Sequence, residues 1–171
     1  MDLLDRLLGH DAWTTRQLLL LCRGMSDAHL DTEFDINKHT VRATFLHIIW
    51  NMEAWSDEIA GRAIRPKPDG RSVDAMLARL ERAAHDLEAV ARPIAARNGW
   101  DERWRDNPDD PNSEKTYGGA VLHVITHSMH HRAQLISMLK KLGVKDVPEG
   151  DVLSWEQSLK TSEGTAGSTS T

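Results

Sequence analysis

The chain is poor in the residues that staple, span or grip polyanions. Its one cysteine, Cys22, closes no internal disulfide, so the fold must stand on packing, which fits a reducing cytoplasm. Its longest apolar run, Leu18 to Cys22, falls far short of the ~20 residues that cross a bilayer. Asp2, Asp5 and Arg6 interrupt the start of the chain, where a secretory leader needs a basic start and an unbroken apolar run. No lysine- and arginine-rich block occurs, and 21 bases face 26 acids, a net charge of −5 with histidine neutral. A nucleic-acid partner gripped through its phosphates is therefore not expected, nor is a membrane partner. Cys22 itself has two readings, a nucleophile or a small buried residue on a leucine-rich helix.

Two residue types are abundant instead. There are six tryptophans against one tyrosine and two phenylalanines, and nine histidines. Their placement decides whether they mean a site or a scaffold.

Four segments repeat apolar residues at helical intervals and carry start or stop signals. The first runs from about Asp2 to Arg23, with Gly24 as a stop; the second from about Thr40 to Ile59, ending before Gly61. In the second, Val41, Phe45, Ile48, Met52, Trp55 and Ile59 advance by three or four residues, one helical face. The third starts at the N-cap Ser72 and runs to about Ala96, its last turn kinked or frayed at Pro93. The fourth spans about Thr116 to Leu142 and closes at Gly143. A long polar loop separates the third and fourth helices, a length associated with function or mobility. No strand-like alternation persists and no fixed-period repeat appears. The expectation is an all-α domain, a four-helix bundle over residues 1–158. Within it a short segment packs through Val152, Leu153 and Trp155, and residues 159–171 form a disordered polar tail.

The fourth helix carries the stretch HVITHSMHHRAQ, with four histidines from His123 to His131. Its apolar stripe runs Ala120, Val124, His127, His131, Leu135, Met138, Leu142, so His127 and His131 occupy positions that leucine would fill better. Residues four apart on a helix differ by ~40° in direction and ~6 Å in height, so both rings converge on one point. Imidazole ligates zinc, nickel, copper and iron, whereas a buried unpaired imidazole leaves nitrogens to satisfy. The rival reading is a structural histidine cluster. His123 and His130 lie ~100° off that stripe, and Arg132 and Gln134 are candidates to serve a partner helix or to back a ligand.

A further ligand has to come from another helix, and His47, near the tryptophans, is the leading candidate. It sits ~100° from the centre of its own stripe, and periodicity leaves open a boundary histidine capping a tryptophan cluster. Ser128 stands where the metalloprotease pattern H-E-x-x-H needs glutamate, and no Glu-x-x-His pair of a di-iron bundle occurs. What remains is a mononuclear site with three nitrogens and open positions, the layout of a catalytic centre. Trp50, Trp55, Trp100 and Trp104 are candidates to wall it, and core packing is the alternative for each.

Three stretches, HDAWTTRQLL, TVRATFLHIIWNMEAWSDEIAGR and HVITHSMHHRAQLISMLKKLG, resemble the DinB/YfiT-like superfamily, whose members are regarded as metalloenzymes. The third is similar to that family's H-x-x-x-H-R-G-Q signature, with Ala133 in the glycine position. The resemblance implies a four-helix bundle, commonly a homodimer, with one divalent ion, nickel or zinc, on His47, His127 and His131. It further implies a small-molecule substrate and thiol-dependent transferase or hydrolase chemistry, some relatives using a low-molecular-weight thiol. The alternative is a non-enzymatic ligand- or protein-binding bundle with a structural or vestigial metal. Glu53, six residues past His47, either orients a ligand, acts on substrate, or is an exposed helix glutamate.

Overall fold

The computed structural model describes residues 1–36, 38–67, 69–106 and 109–166. Its frame is four long helices: α1 (Leu3–Leu21), α3 (Val41–Ile59), α4 (Val73–Ala96) and α5 (Tyr117–Lys141). They match the four periodic segments to within two residues at each end. A one-turn helix, α2 (Asp27–Leu30), follows α1, and α6 (Val152–Ala166) follows α5. The fold is all-α, apart from one small hairpin.

The helix starts follow from local chemistry. Asp2, Thr40, Ser72 and Thr116 stand in extended conformation and accept from backbone N–H groups of the first turn, as N-caps do. At Asp2 the Asp5 side chain answers back, closing a capping box. All four exits pass through a left-handed residue: glycine after α1, α3 and α5 (Gly24 at φ +83°, Gly61 at φ +65°, Gly143 at φ +80°) and Asn98 at φ +54° after α4. Pro93 does not end α4. The helix continues to Ala96, because proline forfeits one hydrogen bond while Ala91 and Ile94 on either side stay buried.

α1 and α3 each pack against both α4 and α5. The main core joins Leu18 and Leu19, Phe45, Ile48 and Met52, Met76 and Leu87, and Leu135 and Met138. A second cluster, built on Leu4, Ile59, Ala91, Ile94, Val121 and Ile125, fills the end that holds the start of α1. Cys22 is fully buried, and burial pushes its thiol up to about 12. The thiolate needed for nucleophilic attack is thereby suppressed, and the packing reading of Cys22 stands.

Two expectations are corrected. The polar loop contains an antiparallel hairpin, β1 (Arg103–Arg105) with β2 (Glu114–Thr116), in register Trp104 opposite Lys115. Three residues per strand are too few for alternation to show in a sequence. They hold together through side chains: Arg103 pairs with Glu114 at 2.6 Å, and Trp104 stacks on Tyr117 at 6.0 Å. Of the three anchors expected in the segment after α5 only Trp155 is buried, since Val152 and Leu153 are exposed. α6 is helical as far as Ala166; residues 167–171, the end of the tail expected from residue 159, lie outside the described residues.

Trp155 docks on α1 at Gly9, where a Cβ would stand 2.5 Å from Trp155 Cζ2. His10 Nε2 meets the Gly150 carbonyl at 2.7 Å on the same side. Gly9→Ala is therefore expected to push α6 off α1. Overpacking of this kind costs about 1–3 kcal/mol, against the ~1 kcal/mol that alanine gains over glycine in a helix. Limited proteolysis should cut faster between α5 and α6 in the variant, with no gain in Tm; an unchanged cleavage rate would contradict the contact.

Candidate metal centre

The site lies between α3 and α5, where a half-buried His47 faces His127 and a buried His131. His47 Nε2 is 3.2 Å from His127 Nε2, and His131 Nε2 is 3.2 Å from the same atom. One ligand atom from each of the three rings lies within 4.8 Å of the other two. A nitrogen bonded to zinc at ~2.0–2.1 Å lies ~3.3 Å from its tetrahedral neighbour and ~2.9 Å from an octahedral one. The two 3.2 Å edges fall between those values.

The chemistry of the donors points the same way. Gln134 Oε1 is 2.8 Å from His131 Nδ1, and Gln134 Nε2 is 3.0 Å from His130 Nε2. An amide oxygen only accepts, so His131 carries its proton on Nδ1 and turns the Nε2 lone pair toward the other rings. His127 Nε2 has one valence to offer, a proton or a lone pair, and faces two neighbours. A purely hydrogen-bonded triad cannot satisfy all three nitrogens well, whereas one cation at their centre can. The residues present therefore fit a divalent ion.

All three imidazoles are biased toward the neutral, ligand-competent form. Burial, helped by the charge of Lys38 and by the neighbouring histidines, pushes His47 down to about 4. Burial with the charges of His131 and His123 does the same for His127, to about 4. His131 is also lowered, by burial above all, against the Gln134 hydrogen bond that favours its charged form. In the unfolded chain these rings take up protons near 6.5. Between pH 6.5 and about 4 the unfolded state thus binds more protons than the folded one. The Tm of metal-free protein is expected to fall as pH drops through that window. Replacing the three histidines by glutamine should flatten the profile there; parallel profiles would contradict the assignment.

Other residues fall into place around the cluster. His123 is exposed and stands 5.0 Å from Trp55 and 5.4 Å from His127, ring centre to ring centre, at the edge of the site. Trp50 lines a cavity beside His47. Trp55 meets Trp104 edge-on at 6.5 Å. Trp100 packs in the second core cluster, apart from the imidazoles. Arg132 turns to α1, where its Nη1 pairs with Asp11, both residues buried. Ala133 is exposed, so its methyl group alters no packing.

Glu53 is not an exposed glutamate. It is 4% exposed and accepts from Arg79 Nε at 2.9 Å and Nη2 at 2.6 Å, a two-pronged pair that ties α3 to α4. The pair leaves this carboxylate committed rather than free to act on substrate. Periodicity had no means of showing it, since the partner lies 26 residues on. Also hidden in the sequence is Arg42, buried in α3, which donates to Asp31 and to the Arg71 carbonyl and pairs with Asp27. It clamps the two loops flanking α3 against each other.

Among the described residues no helix is long and apolar enough to cross a membrane. A comparison with curated proteins finds no match. The family model described as DinB family matches residues 1–161, nearly the whole length, and the chain belongs to the DinB family.

Proposed function

We propose that the protein is a divalent-metal-dependent enzyme whose ion is held by His47, His127 and His131. The observation that carries this reading is that His127 Nε2 stands 3.2 Å from both His47 Nε2 and His131 Nε2, with one ligand atom of each ring within 4.8 Å of the other two. The rings come from α3 and α5, whose separate packing against α1 and α4 fixes the gap between them. Gln134 holds His131 in the ligating tautomer. Nickel or zinc suits an all-imidazole donor set. Three protein ligands leave a position for an exchangeable fourth, which separates a catalytic centre from a closed structural one.

A divalent ion so held supplies Lewis acidity, lowering the pKa of a coordinated water or thiol. The protein's own part is to bind and orient. The cavity beside His47 brings a small molecule up to that imidazole, and Trp50 gives it an apolar wall. Within this proposal the reaction class is transfer to or from a low-molecular-weight thiol, or hydrolysis. The open cavity favours this over a bundle that keeps a metal for stability alone.

The test is a pair of assays, thiol transfer and ester or amide hydrolysis, on protein reconstituted with nickel or zinc and on the same protein stripped by a chelator. Turnover that appears with the metal and disappears with the chelator supports the enzyme. Metal-independent turnover, or a metal that raises Tm while no turnover appears with any thiol or ester tried, favours the structural alternative.

A further inference from the structure

Beside the imidazole cluster, and lined by its His47, lies a cavity of about 430 Å³, within the size range of small-ligand sites. Its lining includes His47 and Trp50 together with four cations, Lys38, Lys67, Arg71 and Arg79. Asp69 is the one acidic residue that lines it among the described residues. In a chain of net charge −5 this is a local inversion of sign. The cations arrive from separate segments: Lys38 precedes α3, Lys67 and Arg71 lie between α3 and α4, and Arg79 is on α4. Arg42 fixes the two loops in place through Asp31 and the Arg71 carbonyl.

The charges are only partly spent. Arg79 is 5% exposed; Glu53 takes its Nε and Nη2, and Nη1 has no partner among the described residues. Arg79 lines the cavity, so this remaining edge is placed to donate to a bound anion. Lys67 lies over the Trp50 ring, 4.1 Å from its centre, and neither it nor Lys38 forms an ion pair among the described residues. Arg71 reaches Asp31 only at 3.5 Å. The Lys38 charge is felt by all three imidazoles. A divalent ion at the cluster would add to this positive field, and an anion in the cavity would relieve it.

We propose that this cavity binds the oxyanion group of a small molecule through Arg79, Lys38 and Lys67. That the molecule is the substrate of the neighbouring centre rests on the metal-dependent reading above; the binding itself does not. Carboxylate and phosphate share the chemistry these donors recognise. Leu46 and Trp50 offer apolar surface to the remainder of the ligand.

The test is calorimetric titration of metal-free, full-length protein with succinate, with inorganic phosphate and with uncharged succinamide. Saturable binding of at least one anion in the range of about 1 mM or tighter is expected, and none of succinamide. The stronger of the two anions then names the group. A Lys38→Met, Lys67→Met double variant removes two charges without touching the Glu53–Arg79 pair, and should weaken anion binding at least tenfold with an unchanged circular dichroism spectrum. Equal affinity in that variant, succinamide bound as tightly as succinate, or no saturable anion binding would each overturn the site. Metal uptake is measured on the same samples. Metal without anion binding removes this proposal alone, and anion binding without metal removes the metal reading alone.

Discussion

Replacing His127 with alanine is expected to lower divalent-metal affinity by at least about 100-fold, the upper end of what loss of a mere outer partner of a ligand costs, and to leave the helices intact. His127 is the hub of the cluster, since its Nε2 makes both 3.2 Å contacts. Without it, His47 and His131 share no direct hydrogen-bond contact and offer only two donors. The fold should tolerate the change, because His127 lies beside the core formed by Val124, Leu135 and Met138 rather than inside it. Its Nδ1, buried and without a partner among the described residues, leaves no orphan behind when removed. Elemental analysis and circular dichroism on the same preparation check both halves. Undiminished stoichiometric metal in the variant would refute the ligand set.

Breaking the Asp11–Arg132 pair is expected to have the largest effect on stability. Both side chains are almost wholly buried, between α1 and α5. Burial pushes the Asp11 carboxyl up while Arg132 pulls it down. Asp11→Ala strands a guanidinium in the interior, a loss of about 3–5 kcal/mol, which is roughly 10 °C in Tm for a chain of this size. Arg132 also donates, at 3.3 Å, to the Asp11 carbonyl and to Thr15 Oγ1, too little to replace a carboxylate. The pair is itself imperfect: Asp11 Oδ2 and Arg132 Nη2 have no hydrogen-bond partner among the described residues. An Asp11→Leu, Arg132→Met double variant should therefore recover most of the loss. Thermal denaturation of Asp11→Leu, Arg132→Met and the double variant measures the coupling directly; additive losses would contradict it.

The four helices were readable because each buries a continuous stripe and starts at a side-chain cap, and both signals are local. His127 and His131 were legible for the same reason, as polar residues on an apolar stripe one turn apart. His47 was not. It stands at the edge of its helix face, so its place near the tryptophans made it a candidate and the family resemblance decided for it. The hairpin was invisible because three-residue strands have no pattern, and its stability comes from pairs such as Arg103 with Glu114 that form only when the loop closes. The buried Glu53–Arg79 and Arg42–Asp31 pairs lie on neighbouring elements, so no spacing rule reaches them. The cationic cavity escaped for a related reason. Lys38, Lys67 and Arg71 sit in loops without periodicity, and only tertiary structure brings them beside His47.

X-ray absorption at the metal edge of protein reconstituted with one equivalent of nickel or zinc reads the ligand set itself. Three imidazole nitrogens at ~2.0–2.1 Å are expected, with at least one further light-atom ligand that exchanges with solvent. A sulfur ligand, which only Cys22 or a methionine could supply, or a spectrum unchanged when His47 is replaced, would contradict it.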